Sequence, residues 1–76
     1  MTDKAQRKSV LVTGGARGIG AGIVAALRDT HDVMVHYNTT IPDHEAVVQG
    51  DLTDPETPAR LIAATMDRFG RVDAVV

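Results

Sequence analysis

The run Thr13-Gly14-Gly15-Ala16-Arg17-Gly18-Ile19-Gly20 constrains this chain more than any other stretch. It joins an apolar segment, Ser9-Val10-Leu11-Val12, to a segment with helical apolar spacing. A strand that passes through a glycine-rich turn into a helix is the layout of a dinucleotide-binding turn. Gly14, Gly18 and Gly20 have separate expected roles. Gly14 allows the tight turn off the strand, Gly18 lets backbone approach phosphates, and Gly20 lets the helix pack closely on the sheet. The start of the helix adds unpaired N–H groups and the positive end of its dipole, which favour an anion without any basic side chain. A loose glycine match also arises as a plain flexible turn, and the strand before it and helix after it favour the binding reading. The nucleoside-triphosphate loop is excluded, because Ala21 follows Gly20 where that motif requires lysine.

Downstream the pattern alternates strand and helix, which implies a parallel sheet with right-handed crossovers. The first strand is expected over residues 10–13. The first helix follows over 18–29, with Ile19, Ile23, Ala26 and Leu27 as one apolar stripe. Its end is open, because residues 28–32 hold no glycine. Residues 33–37 read as the second strand and 38–44, with Pro42, as a loop in place of a crossover helix. The third strand is expected over 45–50. The next helix begins at Asp54 or Thr57, each followed by a proline. Leu61, Ile62, Thr65, Met66 and Phe69 share a face, with Met66 and Phe69 expected in the core and Gly70 as the stop. Residues 72–76 begin a fourth strand, giving the order 3-2-1-4.

Three motifs carry a family resemblance. Thr13, Gly14, Gly18, Ile19 and Gly20 match the T-G-x-x-x-G-I-G turn of the short-chain dehydrogenases/reductases position for position. Asp51-Leu52-Thr53-Asp54 resembles the D-[VL]-T-D segment closing the third strand in that family, where the aspartate and its neighbour meet the adenine. The stretch from Phe69 to Val76 is similar to the F-G-x-[LVI]-D-x-L-V lead into the fourth strand. Within the family the chain looks most like the 3-ketoacyl-[acyl-carrier-protein] reductases. The resemblance implies an α/β fold, the N-terminal part of a Rossmann sheet (doubly wound, parallel, three-layer), truncated in the fourth strand. Residues 1–8 are then a flexible arm carrying Lys4, Arg7 and Lys8, and 9–76 a partial NAD(P)-binding domain. It also implies carbonyl reduction or alcohol oxidation by hydride transfer in a full-length protein, expected to be a homo-oligomer acting on a small carbonyl substrate. The family's N-N-A-G, catalytic serine and Y-x-x-x-K do not occur here; Ile41 stands four residues after the only tyrosine, Tyr37. No catalytic residue is therefore assigned within these 76 residues, which alone are expected to be inactive.

NAD-preferring sites place a carboxylate about 20 residues past the glycine turn, at the end of the second strand. This chain has His36, Tyr37 and Asn38 there, and Arg17 inside the turn resembles the basic residue of NADP-preferring members. NADP is thus expected over NAD. Arg17 is the proposed 2′-phosphate partner, Asn38 and Thr39 lesser donors, and Asp51 and Leu52 the adenine contacts.

With no cysteine, disulfides and thiolate sites are impossible. The net charge of −2 argues against nucleic-acid or membrane partners. Neither a signal-peptide core nor a run of transmembrane length is visible, so a cytoplasmic location is expected. His31, His36 and His44 do not suggest a metal site, which needs three or four converging ligands. A second functional class stays open: a non-catalytic nucleotide-binding or interaction module.

Overall fold

The computed structural model describes residues 7–76. Its elements are β1 (Ser9–Val12), α1 (Gly18–Leu27), β2 (Asp32–Tyr37), β3 (Val47–Gln49), α2 (Thr57–Phe69) and β4 (Ala74–Val75). The strands form one sheet in the expected order β3-β2-β1-β4. All pairs are parallel, with Val10 beside Val33 and Ala74, and Val35 beside Val47. The fourth strand is shorter than the sequence suggests, since only Ala74 and Val75 pair with β1.

Successive strand side chains point to opposite faces, so these short apolar runs build two cores at once. One face carries Val10, Val12, Val33 and Val35, covered by Val24 of α1, with Ile23 and Leu27 at its margin. The other carries Leu11, Met34 and Ala46, covered by Leu61 of α2, with Ala64 and Phe69 alongside. Burying a leucine such as Leu61 fully is worth about 1.5–3 kcal/mol. Along α2 the buried line is Thr57, Leu61 and Thr65, spaced by four residues. The Thr65 hydroxyl is satisfied by donating to the Leu61 carbonyl at 2.8 Å.

Two expected stripes need correction. Ile19 is 85% exposed and Ala26 is exposed, so Val24 rather than either anchors α1. The first turn of α1 stands beyond the end of β1, where the sheet offers it no cover. On α2, Met66 is 46% exposed because it lies about 100° around the helix from Thr65, while Phe69 is half-buried against the core as expected. Of the two possible starts for α2, the chain uses Thr57 with Pro58 in the first turn, and Glu56 occupies the cap position. Asp54 instead closes the preceding turn, its carboxylate accepting the Glu56 N–H at 3.0 Å. Gly70 ends α2 in the left-handed conformation, φ 81°. α1 ends without glycine: Arg28 stays right-handed, and the N–H groups of Thr30 and His31 both donate to the Leu27 carbonyl.

The segment between β2 and β3 is a loop with no helix, as expected. The His44 Nε2–H donates to the Val33 carbonyl at 2.8 Å and ties this loop to β2. Of the expected N-terminal arm, residues 1–6 lie outside the described residues. Arg7 is half-buried, pairs with Asp32 at 3.0 Å and donates to the His31 carbonyl. The Lys8 carbonyl accepts the Asp32 N–H, so these two residues are tied to β2.

The turn between β1 and α1 shows how closely helix, turn and sheet meet. A Cβ on Gly15 would stand 2.7 Å from a Val35 methyl and 3.3 Å from a Val24 methyl, so Gly15 is the residue that lets α1 approach the sheet. The sequence reading gives that role to Gly20. A Cβ there would instead strike the Gly14 carbonyl oxygen at 2.3 Å, so Gly20 packs on the turn itself. Gly22, in the same helix, faces open space. Glycine inside a helix is ordinarily about 0.5–1 kcal/mol less stable than alanine. Gly22→Ala should therefore stabilise the fold by about that amount, whereas Gly20→Ala should cost about 1–3 kcal/mol as an overpacked contact. Paired denaturant titrations in the protein carrying these residues check this; equal gains from both would contradict the close turn.

Asp73 fastens β4 to the start of β1. Its carboxylate accepts the Ser9 N–H at 2.8 Å and a two-pronged contact from Arg71, while its own N–H donates to the Ser9 carbonyl. The Arg71 hydrogen bond, then the Ser9 N–H, hold its pKa down from 3.8 to about 2. A carboxylate depressed in the folded state stabilises above its unfolded value and loses that contribution as pH falls toward the folded one. Asp73→Asn should thus lower stability at neutral pH, and the gap should close between about pH 4 and pH 2. Unfolding curves at stepped pH test this; a gap of constant size down to the acid end would contradict it.

Candidate functional site

From Val12 into the first residue of α1 the chain turns through two left-handed glycines, Gly14 (φ 63°) and Gly18 (φ 60°), a conformation that side-chain-bearing residues avoid. Around both, the space a side chain would take is open, with no atom within 4 Å of a built Cβ. Arg17 precedes the helix in extended backbone, no side chain caps the N-terminus, and the first turn holds no acidic residue. By helix geometry the N–H groups of Gly18, Ile19 and Gly20 have no intrahelical acceptor. Among the described residues, the N-terminal opening of α1 therefore carries no capping or acidic side chain that would compete with an incoming anion.

Three segments far apart in sequence meet beside this turn and line a cleft of about 470 Å³. The turn contributes Gly14 and Arg17, the end of β2 contributes Asn38 and Thr39, and the end of β3 contributes Asp51 and Leu52. These six are sequence-derived candidates, and the fold brings them together because β3, β2 and β1 are parallel neighbours whose C-terminal ends open on one side. Arg17 is exposed and forms no ion pair among the described residues. The exposed Asp51 carboxylate accepts both the hydroxyl (2.7 Å) and N–H (2.9 Å) of Thr53, which hold its pKa below the ordinary carboxylate value and fix one of its oxygens.

Other candidates sit differently. The Thr13 hydroxyl and N–H both donate to the Val76 carbonyl, at 2.7 and 2.9 Å, so its side chain joins the turn to the end of β4. Gly18, Ile19 and Gly20 form the helix opening at the edge of the cleft rather than its lining. Among the described residues, no three His, Asp or Glu side chains converge to hold a metal. No helix of the described residues is long and apolar enough to cross a membrane.

The sequence places His36 at the end of the second strand without showing what it joins. It is 2% exposed, lines the cleft, and spans two strand ends: its Nδ1 accepts the Gly14 N–H at 2.9 Å and its Nε2 faces the Gly50 carbonyl at 2.7 Å. The only available signal was a polar residue near the end of an otherwise apolar strand.

No family model matches the chain. Among curated proteins it is 38% identical over 86 residues to the short-chain dehydrogenase/reductase FrzI of Cladobotryum sp., a match covering 91% of this chain and 32% of that protein. The chain thus spans about a third of the length of this relative. Among solved structures, that of a Bacillus thuringiensis protein assigned as a 3-oxoacyl-reductase superposes with a TM-score of 0.80 at 24% identity, covering 92% of this chain and 34% of that one. A Burkholderia cenocepacia protein assigned as a dehydrogenase, solved with NADP bound, gives a TM-score of 0.77 at 28% identity, covering 91% and 32%. In sequence relatives and in fold alike, the chain sides with the short-chain dehydrogenases/reductases.

Proposed function

We propose that these residues form the cofactor-binding part of an NADP-dependent short-chain oxidoreductase that reduces a carbonyl group or oxidises an alcohol. The observation that carries the preference for NADP is the pairing, in one cleft, of the Arg17 guanidinium, which forms no ion pair among the described residues, with a β2 end that bears no carboxylate. An NAD-type site uses a carboxylate there to hold the ribose hydroxyls, and that charge repels a 2′-phosphate. Here Asn38 and Thr39 offer neutral donors instead.

The residues fit the group. The open glycine positions leave room for a pyrophosphate against the helix opening, whose N–H groups and dipole attract it. Asp51 and Leu52 border the part of the cleft suited to the adenine. When bound, the nicotinamide supplies the hydride, and the protein supplies position and charge complementarity. What these residues do is bind and orient. The proton-transfer groups that the reaction requires are proposed to lie in sequence beyond them. The curated relative is a short-chain dehydrogenase/reductase, and one solved structure of the same fold holds NADP, which favours this reading over a non-catalytic binding module.

Arg17→Ala should weaken NADPH binding by about tenfold, since an exposed charge-assisted contact lies at the low end of about 1.5–3 kcal/mol. NADH binding should barely change. Calorimetry on the protein carrying these residues gives both constants. Equal losses for the two cofactors would assign Arg17 to the turn or pyrophosphate, and no loss for either would make it a surface residue. Asn38→Asp should penalise NADPH alone.

The 76 residues by themselves should show no NADPH oxidation with a panel of ketones, followed at the nicotinamide absorbance. Turnover that scales with their concentration would contradict the division between cofactor-binding and proton-transfer parts.

A further inference from the structure

We infer that His36 is a positioning residue of the cofactor cleft: as a neutral imidazole protonated on Nε2, it struts the glycine turn apart from the end of β3 and so fixes the cleft between them. The inference rests on reading this cleft as the dinucleotide site. The Gly14 N–H can only donate, so Nδ1, at 2.9 Å, must present its lone pair. The Gly50 carbonyl can only accept, so Nε2, at 2.7 Å, must carry the proton. One tautomer satisfies both, and the doubly protonated ring would set N–H against N–H.

The surroundings make this contact more than a satisfied core group. The backbone carbonyl of His36 also accepts the Gly15 N–H at 3.0 Å, so two consecutive donors of the turn end on one residue. With Gly14 and Gly15 committed to His36, the donors left for an anion are those from Ala16 onward, at the opening of α1. On the other side, the Gly50 N–H donates to the Tyr37 carbonyl at 3.0 Å, and a Cβ on Gly50 would stand 2.6 Å from a Thr57 methyl. The strut therefore ends on backbone that is itself fixed. Asp51 follows Gly50 directly, so the turn and the Asp51 border of the cleft are held through one imidazole.

The two arms can be separated. Asparagine places an amide oxygen near the position of Nδ1, glutamine places an amide N–H near Nε2, and phenylalanine keeps the ring's bulk with neither. In the protein carrying these residues, NADPH affinity measured by calorimetry should fall about tenfold in His36→Phe, equivalent to about 1.4 kcal/mol. His36→Asn should recover most of that loss, because the Gly14 N–H regains an acceptor, whereas His36→Gln should not. A purely structural histidine would lower the melting temperature in all three variants and leave the affinity of the folded protein unchanged, which would overturn the inference. The unmodified protein provides a test that needs no variant: nitrogen-15 shifts of His36 should report a bare Nδ1 and a protonated Nε2, and the opposite tautomer would equally overturn it. If the parent protein binds NADPH and the variants bind as well as it does, the strut alone fails. If the parent binds no dinucleotide, the functional reading fails, and the role in that site with it.

Discussion

Two neighbouring N–H groups, those of Gly14 and Gly15, are both taken by His36, one by its ring and one by its carbonyl. The rest of the cleft depends on this commitment. A glycine turn has more freedom than any other four or five residues of backbone, and without fixed partners it would sample many shapes. Anchored to β2, it leaves in one direction only, toward α1, and the helix begins with its unpaired donors facing the open side. The same anchor reaches Gly50 through Nε2, so the end of β3 is registered against the turn as well as against β2.

Close packing then fixes the height of α1 over the sheet. Gly15 admits Val24 and Val35 to the space a side chain would occupy, and Gly20 lies against the Gly14 carbonyl. These are short-range steric conditions, and each removes an alternative placement of the helix. The aliphatic core beneath supplies the bulk of the driving force, with valines on one face and leucine and methionine on the other. The end of the sheet that borders the cleft contributes little to it. Ile19, at 85% exposure, and Leu52, at 53%, stand in solvent beside the cleft, an arrangement that suits residues reserved for a ligand more than for the fold.

Much of this was legible in the sequence because it depends on local period and on glycine spacing. The unbroken apolar run Val10, Leu11 and Val12 reports a strand buried on both faces, and the strand order follows from the succession of elements. The loop replacing a helix before β3 could be read from Pro42 and its polar neighbours. What could not be read depends on which atoms face each other across the sheet. Gly15 and Gly20 are equivalent as letters, and only the packed helix distinguishes the one touching Val35 from the one touching Gly14. Ile19 continues a helical apolar pattern in sequence, but the sheet ends before it. His36 carries no signature that separates a bridging imidazole from an ordinary buried one, since its two partners lie 22 and 14 residues away.

One cleft, bordered by the α1 opening and the ends of β2 and β3, is the proposed seat of a nicotinamide dinucleotide phosphate. Titrating NADP into isotope-labelled protein carrying these residues, and following backbone amide shifts, tests it most directly. Saturable shifts are expected at Gly18, Ile19 and Gly20, at Asn38 and Thr39, and at Asp51 and Leu52, with residues of the outer surface of α2 such as Ile62 and Met66 unmoved. Absence of saturable shifts, or shifts centred away from that cleft, such as in the groove between Ala25 and Pro42, would contradict it.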